Sequence, residues 1–309
     1  MAEATVQTGA PENRRSRGLS EKGLAFWMVS PSMLLIALVA AYPIIYAIWL
    51  SLHEYSVRQA GLSRWAGPFG LRNYTTALQN SDFWDAMFTT LIFTAASVFL
   101  ELLIGLAMAL AMHAAFKGQG LLRTVVLVPW AVLTVVTAIM WRTIFESPQG
   151  FVNQILGGDT VWLGSEPQAL IVIIIADVWK TAPFMALLIL AGLQVIPSDI
   201  YEAAKVDGAT AWQRFRKITL PLLTPVIFFN AVVQTIDAFK AFTPAFIISG
   251  GTGGPINSTL FYTLYLYQEA FGNFRMGYAS ALAWILVVII AIFTAFSFLT
   301  SRYWVHYDD

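Results

Sequence analysis

Six apolar runs of bilayer-spanning length lie near 26–50, 86–112, 124–145, 169–193, 223–248 and 278–300. A hydrocarbon core takes about 20 helical residues to cross. Inside lipid each backbone N–H and C=O must be bonded within the spanning structure, so such runs form helices or closed barrels. Alternating ten-residue segments, the mark of a membrane barrel, are missing from the sequence. The expected fold is therefore an all-α polytopic membrane protein with six transmembrane helices. Charge supports this. Only 12% of the 309 residues are charged and 58% are hydrophobic, with mean hydropathy +0.66. A soluble domain carries about 25% charged residues. No period of 20–50 residues recurs, which argues against a solenoid.

Residues 1–25 are polar and include Arg14, Arg15, Arg17 and Lys22. The run that follows is longer than the 7–15 residues of a signal-peptide core, and no small-x-small cleavage site follows it, so it reads as a retained span. Lys and Arg are unevenly placed. Arg14, Arg15, Arg17, Lys22, Lys117, Arg123, Lys205, Arg214, Arg216, Lys217 and Arg302 fall on the N-terminal side; Arg58, Arg64, Arg72 and Arg275 fall on the other. The positive-inside bias puts both termini in the cytoplasm, a parity that six spans satisfy. The expected organisation is a cytoplasmic tail at 1–25, a six-span domain at 26–301 and a cytoplasmic tail at 302–309. Net charge is zero, which gives no electrostatic support to nucleic-acid binding. Cysteine is absent, so disulfides and thiol catalysis are excluded. His53, His113 and His306 are far apart and form no metal-ligand spacing.

The 194–222 loop, QVIPSDIYEAAKVDGATAWQRFRKITLPL, is amphipathic. A short helix through Ile200, Tyr201, Ala204 and Lys205 is broken by Gly208. A second helix is expected from Ala209, with Trp212, Phe215 and Ile218 on one side, ending before Pro221. Read from the residues alone, this is either an interfacial hairpin joining two spans or a docking knob. Its alanines at 203, 204, 209 and 211 allow close approach, and Glu202 and Asp207 offer carboxylates to a basic partner.

EAAKVDGATAWQRFRKITLPLL resembles the EAA signature of ATP-binding-cassette importer permeases. The matching residues are Glu202, Ala203, Ala204, Asp207, Gly208, Ala209, Phe215, Ile218, Leu220 and Pro221. Leu71, Asn73, Tyr74, Phe83 and Trp84, then WKTAPF at 179–184, then SGGTGGP at 249–255 with Phe271, Gly277, Tyr278 and Ala279, resemble the subfamily importing sugars and glycerol phosphate. More narrowly, the sequence resembles first permease subunits of trehalose importers. The resemblance implies a MetI-like permease of a type I importer in a bacterial inner membrane. It implies as partners a second homologous permease subunit, a dimer of ATPase subunits, an extracytoplasmic substrate-binding lipoprotein, a sugar such as a disaccharide, and the lipid bilayer. It implies too that the 194–222 hairpin couples to the ATPase, with Glu202 pairing with a basic ATPase residue and Gly208 allowing the bend. ATP and Mg would be bound by the partner ATPase. The chain itself contains no GxxxxGK[ST] phosphate loop and is expected neither to bind a cofactor nor to be an enzyme.

Charges within apolar spans need a reason. Five stand out: Glu101, Asp177, Lys180, Asp237 and Lys240. Asp177–Lys180 and Asp237–Lys240 are each three apart, so each pair shares a helix face and could neutralise itself. One reading is a translocation path, with Asp177, Lys180, Thr181 and Phe184 on the fourth span and Asn230, Gln234, Asp237 and Lys240 on the fifth. The other is ion pairs that hold the bundle together. Glu101 alone on its span reads as structural, Trp179 as packing between spans, and Pro183 as a kink. Because each lysine has an aspartate within a turn, a neutral sugar is favoured over a phosphorylated one. Two other functions compete. A secondary, ion-coupled transporter would use Asp177 or Asp237, but has no use for a docking hairpin and shows no inverted repeat here. A membrane-embedded enzyme would need a catalytic set at one depth, which the histidines do not supply.

Overall fold

A computed structural model describes residues 20–58, 68–114 and 117–304. Arg14, Arg15, Arg17 and Arg64, most of the N-terminal tail and the last five residues lie outside the described residues. Among the described residues the structure is helical, and the sole extended pairing is a single bridge between His53 and Phe69.

The chain forms two compact units, Met1–Trp49 and Leu50–Asp309. The first holds most of α1 (Glu21–Ser51), an apolar helix containing Pro31 and Pro43. Along it the rings of Tyr42, Tyr46 and Trp49 stack successively, at 6.0 and 5.9 Å.

The second unit contains the rest. In order these are α2 (Arg72–Gln79), α3 (Ser81–His113), α4 (Gln119–Ala131), α5 (Thr134–Ile144), α6 (Phe151–Leu156), α7 (Gln168–Val195), α8 (Ser198–Val206) and α9 (Ala211–Arg214). A π-helical turn, Phe215–Thr219, leads into α10 (Leu220–Phe239). Then come α11 (Thr243–Ile248), α12 (Tyr262–Tyr267) and α13 (Met276–Trp304). Five helices are long and apolar enough to cross a membrane, and α4 with α5 makes a sixth if this bent pair is one crossing.

Hydropathy places the spans within a few residues of the observed helices, with two corrections. The run at 124–145 is not one helix. It is α4 and α5, bent by 88° at Val132–Leu133. Both residues take extended backbone angles. The run at 223–248 also breaks, between Phe239 and Thr243. Pro244 explains this second break, since its ring excludes the carbonyl of residue i−4, here Lys240. α7, by contrast, stays one helix through Pro183.

In lipid the bundle gains nothing from hiding apolar surface from water, so close packing of small residues decides which helices pair. α3 and α7 form the central pair. A Cβ on Gly105 would lie 2.9 Å from the Cβ of Met185 and 3.3 Å from the Ala182 carbonyl. Below it Ala109, Met112, Ala186, Ile189, Leu193 and Leu223 form a buried cluster joining α3, α7 and α10. At the other end α12 is pinned to α3 and α13. Thr90 Oγ1 accepts from Tyr262 N at 2.8 Å, and the Tyr262 hydroxyl donates to the Leu282 carbonyl at 2.7 Å.

Replacing Gly105 with Val should force α3 from α7 and destabilise the fold by about 1–3 kcal/mol, the usual penalty of overpacking. A drop in thermal midpoint of the detergent-purified protein tests this; an unchanged midpoint would mean the two helices have room to spare.

Candidate functional site

The two broken spans meet at one cavity of about 210 Å³. Its wall takes Thr134 from the start of α5, Asp177, Lys180 and Thr181 from α7, and Gln234 and Asp237 from α10. Lys240 to Pro244, the break after α10, closes the side. Non-helical backbone at membrane depth is tolerated where it is buried in protein or lines a cavity. Both breaks meet that condition here.

Each break exposes carbonyls that a continuous helix would have bonded, and side chains take them up. Lys180 Nζ donates to the carbonyls of Trp130, at 3.3 Å, and Val132, at 2.5 Å. Thr263 Oγ1 donates to the Ala241 carbonyl at the second break. On the far side of the bend Arg142 donates to the Ile247 carbonyl at 3.1 Å, tying α5 to α11.

Six of the eight residues expected along a path therefore share one wall: Asp177, Lys180, Thr181, Gln234, Asp237 and Lys240. Phe184 and Asn230 do not. The Phe184 ring stacks on Trp130, with centroids 5.3 Å apart and planes at 10°. Asn230 is buried one turn away on α10, and neither its amide nitrogen nor its oxygen has a partner. The two Asp/Lys pairs behave differently. Asp237 and Lys240 form an ion pair at 3.3 Å. Asp177 and Lys180 do not close to one, because the Lys180 ammonium is held at the break of the preceding span. Trp179 packs edge-on to Trp141 at 5.9 Å.

Sequence reasoning missed Thr134, Phe242, Thr243 and Pro244, which reach the cavity through the breaks. Pro129 and Pro244 were the available signals. It also left Glu101 outside. This side chain is 0% exposed on α3, beside Asp177 of α7 and Gln234 of α10.

The second feature is the hairpin between α7 and α10. α8 ends in a Schellman motif: the Gly208 amide donates to the Lys205 carbonyl at 3.0 Å, and the Ala209 amide to the Ala204 carbonyl at 2.9 Å. Gly208 sits at φ +78°, the left-handed region where a Cβ is strained. The second helix starts at Ala211 rather than Ala209. Thr210 caps it, bonding reciprocally with Gln213 as a capping box. Nor does it stop before Pro221. The π turn carries the chain through, with the Leu220 amide bonding five residues back to the Phe215 carbonyl. Proline is tolerated in the first turn of the helix that follows, where its missing N–H has no helical partner to lose. Two bonds close the hairpin: Arg214 Nη1 to the Ala209 carbonyl at 2.6 Å, and the hydroxyls of Tyr201 and Thr219 at 2.9 Å. Glu202, Ala203, Asp207 and Gly208 are exposed, while Ala204 and Ala209 are half-buried. Val206 is 87% and Trp212 66% exposed at the hairpin's surface. Among the described residues neither Glu202 nor Asp207 is in a salt bridge.

Apolar spans, a polar cavity at two breaks and a rigid exposed hairpin define a membrane permease. Residues 101–304 match the family described as binding-protein-dependent transport system inner membrane component, and the chain belongs to that family. It is thus a multi-pass inner-membrane protein. In such systems ATP hydrolysis falls to separate subunits.

The chain is 41% identical over 308 residues to a probable ABC transporter permease protein, YesP, of Bacillus subtilis, covering 97% of this chain and 98% of the other. It is 38% identical over 280 residues to the trehalose transport system permease protein SugA of Mycobacterium tuberculosis, covering 91% and 89%. Its fold matches a chain from the crystal structure of a bacterial alginate ABC transporter in complex with an alginate pentasaccharide-bound periplasmic protein. The TM-score is 0.78 at 22% identity, over 90% of this chain and 94% of that one.

Lys180→Met should lower the thermal midpoint of the purified protein by leaving two carbonyls without their donor, a loss of about 1–3 kcal/mol. A variant with unchanged stability but altered cargo affinity would assign Lys180 to the cargo and not to the break.

Proposed function

We propose that this chain is one membrane subunit of an ATP-driven, binding-protein-dependent sugar importer, with a disaccharide such as trehalose as cargo. Its partners are a second homologous permease subunit, a pair of ATPase subunits that bind ATP and Mg, and an extracytoplasmic substrate-binding protein. Both termini lie in the cytoplasm, and the hairpin of α8 and α9 seats on the ATPase.

One observation carries the reading. Helix runs unbroken from Ala211 to Phe239, so a single rod has the hairpin at its root and the cavity wall at its tip. Movement of the hairpin by a closing ATPase pair is thereby delivered to Gln234 and Asp237. The hairpin can pass on a push because its turn is locked by the Schellman bonds and its two limbs by Tyr201 and Arg214. Glu202, exposed and in no salt bridge among the described residues, would pair with a basic ATPase residue. Val206 and Trp212 supply apolar contact.

The cavity suits an uncharged polyol. Asp177, Asp237, Gln234 and Thr181 accept from or donate to hydroxyls. Both lysines on its wall are engaged, Lys240 with Asp237 and Lys180 with backbone carbonyls. A phosphorylated cargo would call for uncommitted cations. The trehalose permease among the relatives supports a disaccharide. An ion-coupled carrier using Asp177 or Asp237 leaves the locked hairpin without a task.

In the reconstituted importer, Glu202→Ala and Gly208→Pro should each reduce ATP-driven sugar uptake at least about tenfold, the equivalent of about 1.4 kcal/mol of coupling. Membrane insertion should persist, checked by immunoblot of the membrane fraction. Unimpaired uptake would end the coupling role. A panel of labelled sugars on the wild type should favour a neutral disaccharide, and uptake of a phosphorylated sugar alone would overturn that choice.

A further inference from the structure

A second polar cavity, of about 410 Å³, lies at the outer end of α3. Asp85, Phe88 and Thr89 of α3, Glu166 just before α7, and Asn257 and Ser258 before α12 line it. In the proposed topology it lies on the extracytoplasmic side. Two sequence motifs that neither the Asp177 cavity nor the hairpin uses build its walls. The first is Phe83–Trp84. Phe83 is buried edge-on to Tyr262 at 5.8 Å, and Phe88, further along α3, is left 58% exposed. The second is SGGTGGP at 249–255. Gly254 sits at φ +71°, and a Cβ there would collide with Thr259 Oγ1. The tight turn it permits is closed by the Thr259 amide on the Gly253 carbonyl and the Leu260 amide on the Asn257 carbonyl, both at 2.9 Å. Asn257 then reaches α3, where its amide donates to the Asp82 carboxylate at 3.4 Å.

The lining has the chemistry of a saccharide site. Carboxylates accept from sugar hydroxyls, an amide donates and accepts, and Ser and Thr hydroxyls do either. The exposed Phe88 ring offers a flat apolar surface to the C–H face of a sugar ring. Ser258 Oγ is buried without a hydrogen-bond partner, and Asp85 and Glu166 form no salt bridge among the described residues. Two carboxylates and no lysine or arginine on the wall repel an anionic sugar. A basic side chain of the binding protein would engage the carboxylates and leave Phe88 and Ser258 Oγ unused, whereas a sugar uses all of them. Position agrees. Leu170 of α7 also borders this cavity and precedes Asp177 by seven residues. Seven residues are close to two helical turns, so both stand on one face of α7, Leu170 about 10 Å further out.

We propose that the outer cavity is a receiving site, where a neutral saccharide let go by the binding protein rests on Phe88 before it moves along α7 to the Asp177 cavity. This rests on the reading of the chain as a sugar permease. Phe88 carries the apolar face of the sugar, Asp85 and Glu166 take its hydroxyl protons in hydrogen bonds, and Ser258 Oγ gains the partner it lacks in this chain. The site holds released sugar near the path and so limits its escape.

The test uses the complete importer, with its ATPase subunits and binding protein, in proteoliposomes. Trehalose carrying a photoreactive diazirine should label the segment 81–92, mapped by mass spectrometry, and excess unlabelled trehalose should suppress the labelling. Phe88→Ala should abolish it and Phe88→Tyr restore it, while Asp177→Asn, which removes a group of the deep cavity, should leave it in place. Phe88→Ala should also lower the trehalose imported per ATP hydrolysed about fourfold, the scale of one buried methylene group. The concentration of loaded binding protein that half-maximally stimulates ATP hydrolysis should stay the same. Phe88 is exposed, so the thermal midpoint of Phe88→Ala should match the wild type. Absence of competed labelling at 81–92 in an importer that takes up trehalose would overturn the proposal and leave the sugar reading standing. So would a rise in that half-maximal concentration in Asp85→Asn and Glu166→Gln with trehalose import per ATP unchanged, which would assign the cavity to a basic group of the binding protein. If the wild type takes up no trehalose, the cargo reading fails for that sugar, and the labelling alone then decides whether the outer cavity binds one.

Discussion

A bilayer offers a peptide carbonyl nothing to bond to, and the fold is shaped by how this chain meets that condition where its helices stop. The bonds from Lys180 to the carbonyls of Trp130 and Val132 are the main instance. They hold α4 and α5 at 88°, and the bend brings Thr134 to the cavity opposite α7. Without a donor there, the unbonded carbonyls would favour a straight helix through 119–144, and the cavity would lose a wall. Thr263 serves the second break in the same way. Each break thus depends on one donor from another part of the bundle, and the cavity depends on both.

Hydropathy made the spans legible because burial in lipid acts on every residue of a run. It could not report the breaks. From Val125 to Val136 the chain is apolar apart from Thr134, so no change of polarity marks the bend. The donors that stabilise it sit about fifty residues away. Charges in the runs were legible as exceptions, and four of them, Asp177, Lys180, Asp237 and Lys240, share the cavity wall with their polar neighbours Thr181 and Gln234. Glu101 was harder. Alone on α3 it has no partner at helical spacing, and its neighbours come from α7 and α10 only after folding. At the hairpin Gly208 was visible because its left-handed backbone needs glycine. The path of the chain through Pro221 was not, since proline usually ends a helix and here a π turn admits it.

The same helix serves both features. α10 begins where the hairpin ends and finishes at the ion pair of Asp237 and Lys240. Its packing on α3 and α7 is apolar near the root, around Leu223, and polar near the tip, around Gln234.

The π turn at Phe215–Thr219 also sets an angle. It fits one residue more into its turn than an α-helix does, and each residue of helix corresponds to about 100° of rotation. The surface of α9 and the cavity face of α10 are thus out of phase by about that angle compared with an uninterrupted helix. Excising one residue there would leave the composition, the spans and the hairpin cap as they are. It would swing Asn230, Gln234 and Asp237 from the bundle interior toward its flank. The extra residue acts as a phase setting between the two ends of the rod, and a chain that differed only in that phase could assemble yet present the wrong side of α10 to its cargo.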